Sequence, residues 1–290
     1  MHKGLSQALL RQLGVFACLA VLLTALFLGS MLAVYAIPQR WIQSNAEKSI
    51  KLIDDNKVGL WPWFSIGKTG VTMDYKTDQR MFEYALREKG DALLREEEGA
   101  KSSALRAAQV PDYARYWHGY QVYLRPLLLL GDLAALRGWN ILAQYAMIML
   151  LASLIAKRLH TLFALCFGAA LAAAGYLVVP LSFQFSSVFL VMLAASNLLL
   201  LFYGKPFFRR WLPQFFFSVG AVTVFLDLLT APVITLGIPL TLLLLLKMKE
   251  GEPPGKTLWC AAKQSAAWGA GYAFLWFAKW CVASAVLKRN

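Results

Sequence analysis

The strongest constraint on this chain is a series of uninterrupted apolar blocks, each about as long as a bilayer is thick. The first spans about 13–37, and six more follow a long polar stretch, at about 139–156, 161–181, 183–203, 213–229, 231–246 and 258–285. A membrane-spanning helix needs about 20 predominantly apolar residues. Only 16% of the residues are charged, too few for an ordinary soluble domain. We therefore predict an all-α integral membrane protein with about seven transmembrane helices. A cytosolic enzyme, a secreted disulfide scaffold and a disordered regulator are excluded.

The first block, within residues 1–37, follows Lys3 and Arg11. It is longer than the apolar core of a signal peptide, which has roughly 7–15 residues. It is therefore predicted to be an uncleaved signal anchor with a cytoplasmic N-terminus. Val34-Tyr35-Ala36 also fits a cleavage site, so cleavage is the alternative.

Basic residues mark every second joint between the later blocks, at 157–158, 205–210 and 247–256, whereas the joints at 180–183 and 230–232 carry no charge. Lysine and arginine concentrate in cytoplasmic loops. The pattern predicts a multi-pass membrane protein whose residues 38–138 form a helical extracytoplasmic domain and whose residues 139–290 form a six-helix bundle. The net charge is +2 within 38–138 and +11 outside it. Most of the excess positive charge is explained by the bias of basic residues toward cytoplasmic loops. We therefore expect membrane lipids, and not nucleic acid, as partners.

Two acids in the polar stretch, Asp74 and Asp78, lie four residues apart, so one helical turn would align them. Paired carboxylates suit acid–base chemistry or a divalent cation. The alternative is a helix cap, with Thr77 or Asp78 starting the following helix, beside a solvated acid. The three histidines and four cysteines have no metal-ligand spacing, so we expect no structural zinc.

A second candidate is the stretch 111–126, predicted to be an amphipathic helix at the outer interface that Pro126 kinks or ends. Arg115, His118 and Arg125 share one face of such a helix. Arginine grips phosphate through two parallel hydrogen bonds, and histidine transfers protons near neutral pH. The face is therefore either an anion clamp or a set of cations that touch lipid headgroups.

Within the apolar blocks, Asp227 is the one acid. An ionisable group in a membrane is by default a functional candidate, and the alternative is a capping aspartate at a tight outer hairpin. Thr230 and Gln184 lie at the same predicted outer side. Lys279 is expected to extend to the outer surface and Lys263 to the inner one. Small residues, among them Gly168, Gly269 and Gly271, predict close helix packing.

Three motifs resemble a family of multi-pass membrane proteins of Gram-positive bacteria: R-Y-W-H-G-Y-x4-R-P-L-L at 115–128, L-S-x-Q-F-S-S at 181–187 and D-L-L-T-x-P-x-x-T-L-G-x-P-L at 227–240. The segment at 74–78 reads D-Y-K-T-D where that family tends to have D-N-x-T-D. The resemblance implies a multi-pass membrane topology, but it implies no particular catalytic activity. The plan of a long first outer loop and about seven spans is similar to that of polyprenyl-phosphate-sugar membrane glycosyltransferases.

These features lead to three hypotheses. The first is an envelope enzyme acting at the outer leaflet on a lipid-linked or phosphate-bearing substrate, such as a polyprenyl-linked glycan. Its acid–base or metal-binding groups would be Asp74, Asp78 and His118, and its substrate contacts would be Arg115, Arg125, Gln184, Asp227 and Thr230. The second is a non-enzymatic envelope scaffold or assembly factor. The third, a lipid or solute transporter, is disfavoured because the polar groups gather on one side.

Overall fold

The computed structural model describes residues 2–55, 65–66, 69–70, 75–86, 116–226 and 230–287. The regular structure in these ranges is helical, apart from one antiparallel pair of two-residue strands, β1 (Ser65–Ile66) and β2 (Thr69–Gly70). Before the bundle come α1 (His2–Tyr35), α2 (Gln39–Asp55), α3 (Tyr75–Ala85) and α4 (Gln121–Leu128). The bundle contains α5 (Leu133–Arg158), α6 (Thr161–Ala173), a 3₁₀ helix (Tyr176–Leu181), α7 (Phe183–Phe202), α8 (Pro206–Arg210), α9 (Leu212–Leu226), α10 (Ile234–Lys249) and α11 (Pro254–Leu287). The prediction of an all-α protein is confirmed.

Three helices are long and apolar enough to cross a membrane: Leu10–Tyr35 of α1, then α5 and α7. The apolar helices α6 and α9 are shorter, with 13 and 15 residues. Large apolar side chains point outward from the helices; Val21, Leu142 and Phe277 are 66%, 70% and 61% exposed. Soluble monomers rarely expose broad apolar surfaces, whereas a lipid-facing surface is apolar. The chain is therefore built as a membrane protein.

The bundle core lies where α5, α7 and α10 meet. Leu151, Ile155, Met192, Leu199 and Leu243 are buried in it. The hydrophobic residues of these helices are distributed all round rather than on one stripe, which is typical of helices buried in protein on one side and in lipid on the other. These three helices thus provide much of the buried centre of the bundle.

The helices α9 and α11 approach until their backbones touch. A Cβ atom at Gly220 would overlap the carbonyl oxygen of Trp268, and one at Gly271 would overlap that of Phe217. Small residues permit such close helix crossings in membranes, so the predicted packing role of Gly271 is confirmed. A Cβ at Gly269 would meet nothing within 4 Å, so the same prediction is wrong for this glycine.

The helices α2, α3 and α4 form a layer, called here the α2–α4 layer, on one end of the bundle. Its core joins Ile42 of α2, Phe82 of α3 and Leu124 of α4 to Leu133 of α5 and Phe183 of α7. Helical spacing in α2 predicts an apolar side that includes Trp41, Ile42, Ala46, Ile50 and Ile53. Ile42, Ala46 and Ile53 are buried there, whereas Trp41 is 60% exposed. The layer is thereby fixed to the first turns of α5 and α7.

The helix predicted over 111–126 is different in the structure. Residues 116–120 form an irregular turn, α4 begins at Gln121, and Pro126 lies inside this helix. The difference has a local cause, because His118 adopts a positive φ of 51°, which no right-handed helix accommodates. His118 and Arg125 are therefore not on one continuous helical face. Residues 111–115 lie outside the described residues.

Candidate functional site

Five of the predicted site residues lie in the described ranges, namely Asp78, His118, Arg125, Gln184 and Thr230. Asp74, Arg115 and Asp227 lie outside them. The five are found in the α2–α4 layer and at the neighbouring end of the bundle. They form three groups. Asp78, Gln184 and Thr230 lie at the start of α7, and Arg125 lies between α1 and α3. His118 lies in the irregular turn formed by residues 116–120, called here the His118 loop.

Asp78, on α3, caps a helix that begins more than 100 residues later in the sequence. Its Oδ2 accepts the backbone N–H of Phe183 at 3.0 Å, and its Oδ1 accepts that of Gln184 at 2.9 Å. The hydroxyl of Ser182 donates to Oδ1 at 3.2 Å. The first N–H groups of a helix have no partner within the helix, so a carboxylate here stabilises the start of α7. The predicted capping role of Asp78 thus exists, but for α7 instead of α3.

Burial dominates the electrostatics of this carboxylate. Asp78 is fully buried, and the loss of hydration raises its pKa from 3.8 to about 6. The N–H groups of Gln184 and Phe183, and the charge of Arg137, act in the opposite direction. Such a pKa lies in the range of a general acid or base. The occupied hydrogen-bonding positions of both oxygens, however, are those of a structural cap.

Arg137 of α5, which was not among the predicted site residues, lies near Asp78. Its Nε donates to the carbonyl oxygen of Leu181 at 2.9 Å. Its Nη2 is buried and, among the described residues, has no hydrogen-bond partner. One and two turns on, Asn140 and Gln144 donate to the hydroxyl of Ser186 at 2.7 and 2.9 Å. The spacing i, i+3, i+7 of three polar residues at the start of an apolar block was the signal that could have identified this face.

Arg125 lies in a cage of carbonyl oxygens. Its Nε donates to Val34 at 3.0 Å, its Nη2 donates to Ile37 at 2.8 Å, and its Nη1 donates to Ala85. The guanidinium carbon lies 4.5 Å from the centroid of the Tyr35 ring. Burial lowers the pKa of Arg125, and only 1% of the residue is exposed. The cation therefore joins the end of α1 and its linker to α3 and α4.

Gln184 and Thr230, both predicted to lie at the outer side, are brought together. The Nε2 of Gln184 donates to the Thr230 hydroxyl at 3.1 Å. The Oε1 of Gln184 is buried and has no hydrogen-bond partner in the described part of the chain. One turn further along α7, Ser187 contacts the Tyr123 hydroxyl at 2.6 Å. This group links α4, α7 and the joint before α10.

His118 is held in a strained backbone conformation by both of its neighbours. The indole of Trp117 donates to the carbonyl oxygen of Leu275 at 2.9 Å, and the N–H of Gly119 donates to that of Phe225 at 2.9 Å. A Cβ at position 119 would overlap the Phe225 carbonyl oxygen, so this approach requires glycine. Strained residues persist only where the surroundings enforce them, and they cluster at functional sites.

The His118 side chain lies among tyrosines and is partly exposed. Its ring stacks on Tyr84 with centroids 4.7 Å apart, and its Nδ1 lies 3.2 Å from the Tyr120 hydroxyl. Burial raises the pKa of Tyr120 well above 10, so this hydroxyl keeps its proton at neutral pH. The imidazole is thus oriented by the hydroxyl of a neutral phenol.

Lys279 does not extend to the surface as predicted. Only 2% of it is exposed, and its Nζ lies 5.6 Å from the centroid of the Trp117 ring. A cation over the face of an indole is attracted by the ring electrons. Lys279 therefore belongs to the surroundings of the His118 loop, next to the residue that anchors it to α11.

No cluster of three or more histidine, cysteine or acidic residues occurs among the described residues. Comparison of the chain with protein-family models, with curated proteins and with solved structures finds no match.

Proposed function

We propose that the protein is a seven-span membrane protein with its N-terminus in the cytoplasm and the α2–α4 layer outside. The alternation of basic and uncharged joints supports this topology, because α5, α6, α7, α9, α10 and α11 overlap the six later apolar blocks, and the short α8 lies in a basic joint. Short helices such as α6 would need to tilt little or to thin the bilayer locally. The bacterial plasma membrane is part of the same proposal.

We further propose that it acts at the outer leaflet as an enzyme on a lipid-linked or phosphate-bearing substrate, with the architecture of a polyprenyl-phosphate-sugar glycosyltransferase. The observation that carries this proposal is the positive φ of 51° at His118, enforced by the hydrogen bonds of Trp117 and Gly119 to the bundle. A backbone held in this way presents the imidazole in one orientation, as an acid–base group requires.

In the proposed reaction, His118 accepts the proton of an acceptor hydroxyl. The hydroxyl oxygen then forms the bond to the transferred group, and the lipid phosphate leaves with the electron pair of the broken bond. Arg115 and Asp74, outside the described residues, remain the proposed phosphate ligand and second acid–base or cation-binding group. Asp78 and Arg125 act as positioning residues in this proposal, because their contacts hold α3 and α4.

The second candidate is a non-enzymatic scaffold. It is favoured by the carbonyl cage of Arg125 and the cap formed by Asp78, which make the α2–α4 layer a rigid platform on the bundle. A platform of this kind suits a protein partner. In that case His118 would be a strained structural residue without a proton to transfer.

The test uses the purified full chain in nanodiscs with a polyprenyl-phosphate-linked sugar and mass spectrometry of the released polyprenyl phosphate. His118→Asn removes the imidazole while asparagine tolerates a positive φ. The matched control is His160→Asn, because His160 accepts the N–H of Leu162 at 3.1 Å as a helix cap, a role asparagine can fill. We expect release by the wild type and the control only. Equal release by the His118 variant would refute the catalytic role, and no release by any protein would favour the scaffold.

A further inference from the structure

A cavity of about 280 Å³ opens at the basic end of the bundle, the end that carries Arg209, Arg210 and Lys247. It lies between α1, α9 and α11, and none of its lining residues belongs to the α2–α4 layer. Its polar lining comes from Gln12, Arg210, Gln214 and Lys263. Its apolar wall is formed by Phe16, Phe217 and alanines of α11. One cavity thus combines two cations with an apolar wall.

These two cations differ from Arg209 and Lys247 at the same end, which pair with carboxylates. Arg209 pairs with Glu250 at 2.5 Å, and Lys247 pairs with Glu252 at 2.6 Å. Arg210 and Lys263, by contrast, have neither an ion pair nor a hydrogen bond within the described part of the chain. Since an orientation signal needs only positive charge in a loop, it does not explain why two cations line one cavity.

A third polar group in the cavity also lacks a partner. The Oε1 atom of Gln214 is buried and has no hydrogen-bond partner among the described residues. A buried polar atom left unpaired is costly. The amide of Gln214 also carries two N–H donors, which can turn toward an anion in the cavity that this residue lines. Arg210, Lys263 and Gln214 then form a donor set of the type that binds phosphate.

We propose that this cavity binds one anionic phospholipid. Its phosphate lies between Arg210 and Lys263, and one acyl chain follows the wall formed by Phe16, Phe217 and the α11 alanines. The volume suits a headgroup rather than a whole lipid, since pockets for drug-sized molecules measure about 300–1,000 Å³. The charge of the cavity selects an anionic headgroup, and its apolar wall favours a lipid over a free anion. This site is independent of the function proposed for the outer side.

The test is native mass spectrometry of the full chain with phosphatidylglycerol and, separately, phosphatidylcholine. A basic side chain near a lipid surface contributes about 1 kcal/mol, or about fivefold in affinity. We therefore expect Arg210→Gln and Lys263→Gln each to lower retention of the first phosphatidylglycerol about fivefold. Phosphatidylcholine should bind weakly throughout. The matched control is Lys157→Gln, which removes an exposed cation from the end of α5, outside the cavity lining.

Three outcomes would overturn the proposal. Equal retention of the two lipids by the wild type would show that the cavity does not select charge. An equal loss in the Lys157 variant would show diffuse attraction to the whole basic end. Displacement of the lipid by inorganic phosphate at matched ionic strength, but not by chloride, would identify a site for free phosphate instead.

Discussion

The Asp78 carboxylate accepts the backbone N–H of Gln184 at 2.9 Å, and this contact ties the α2–α4 layer to the first turn of α7. The two residues are 106 positions apart. The carboxylate also accepts the N–H of Phe183, so one side chain satisfies two N–H groups that a helix cannot satisfy itself. Asp78 is therefore a structural connection between the polar segment and the bundle.

Removal of this cap should loosen the start of α7. Asp78→Ala leaves the N–H groups of Phe183 and Gln184 buried without an acceptor, which costs about 1–3 kcal/mol. We expect faster deuterium uptake in a peptide that begins at these residues, measured by hydrogen exchange of the full chain. The comparison is Asp132→Ala, because Asp132 caps α5: its Oδ1 accepts the backbone N–H of Ala134 at 3.1 Å. That variant should raise uptake at the start of α5 only. Unchanged uptake at 183–184 in Asp78→Ala would show that the cap does not support α7.

The raised pKa of Asp78 predicts a specific pH dependence of stability. Its value of about 6, against 3.8 for a free aspartate, means that the folded state binds the proton more tightly. The stability from this group is fully present below about pH 3.8 and is lost as the pH rises through about 6. The unfolding temperature of the wild type should therefore fall between about pH 4 and about pH 6 relative to that of Asp78→Asn, which lacks this titration.

The difference between a pKa of 3.8 and one of about 6 corresponds to at most about 3 kcal/mol of unfolding free energy. The measurement is thermal unfolding of both proteins in one detergent across this pH range. Parallel curves for the two proteins would contradict the assigned titration. A gap that opens in the opposite direction would mean that the hydrogen bonds to Asp78 outweigh its burial.

The three N–H donors of Arg125 are directed to three separate carbonyl oxygens, and lysine cannot reproduce this arrangement. Hydrogen bonds from a charged donor are worth about 1.5–3 kcal/mol each, so Arg125→Lys should lower the free energy of unfolding by at least about 2 kcal/mol. The measurement is denaturant unfolding in detergent. Arg40→Lys, at an exposed position of α2, should have no effect. A fully stable Arg125→Lys that no longer binds a lipid phosphate would instead identify a substrate ligand.

The sequence predicted the helices well because apolar blocks and charged joints are local patterns. The membrane class, the apolar face of α2 and the proximity of Gln184 to Thr230 follow from such patterns. The partners of Asp78 and Arg125 could not be predicted in this way. Spacing within one helix identifies neighbours three or four residues apart, whereas these side chains contact backbone groups 40 to 106 residues away.

The His118 loop shows the same limit in another form. Arg115, His118 and Arg125 share a face only if 111–126 is one helix, and that assumption fails at a single residue with positive φ. The cause is tertiary, since Trp117 is bound to Leu275 within α11 and Gly119 to Phe225 near the end of α9. Helical periodicity contains no information about such anchors. Arg137 was missed for a different reason, because its position lay just before the apolar block and was assigned to the polar segment.

Gly271 and Gly269, two residues apart on α11, provide a direct test of the contact between α9 and α11. At Gly271 an added Cβ would overlap the Phe217 carbonyl oxygen, whereas at Gly269 it would meet open space. We expect Gly271→Ala to lower the free energy of unfolding by about 1–3 kcal/mol, because overpacking forces the helices apart. Gly269→Ala should be neutral or stabilising by up to about 1 kcal/mol, because alanine favours a helix over glycine. Both variants are measured by thermal unfolding in the same detergent. If the two substitutions have equal effects, the backbones of α9 and α11 are not in contact, and the anchoring of Trp117 to Leu275 would lose its rigid support.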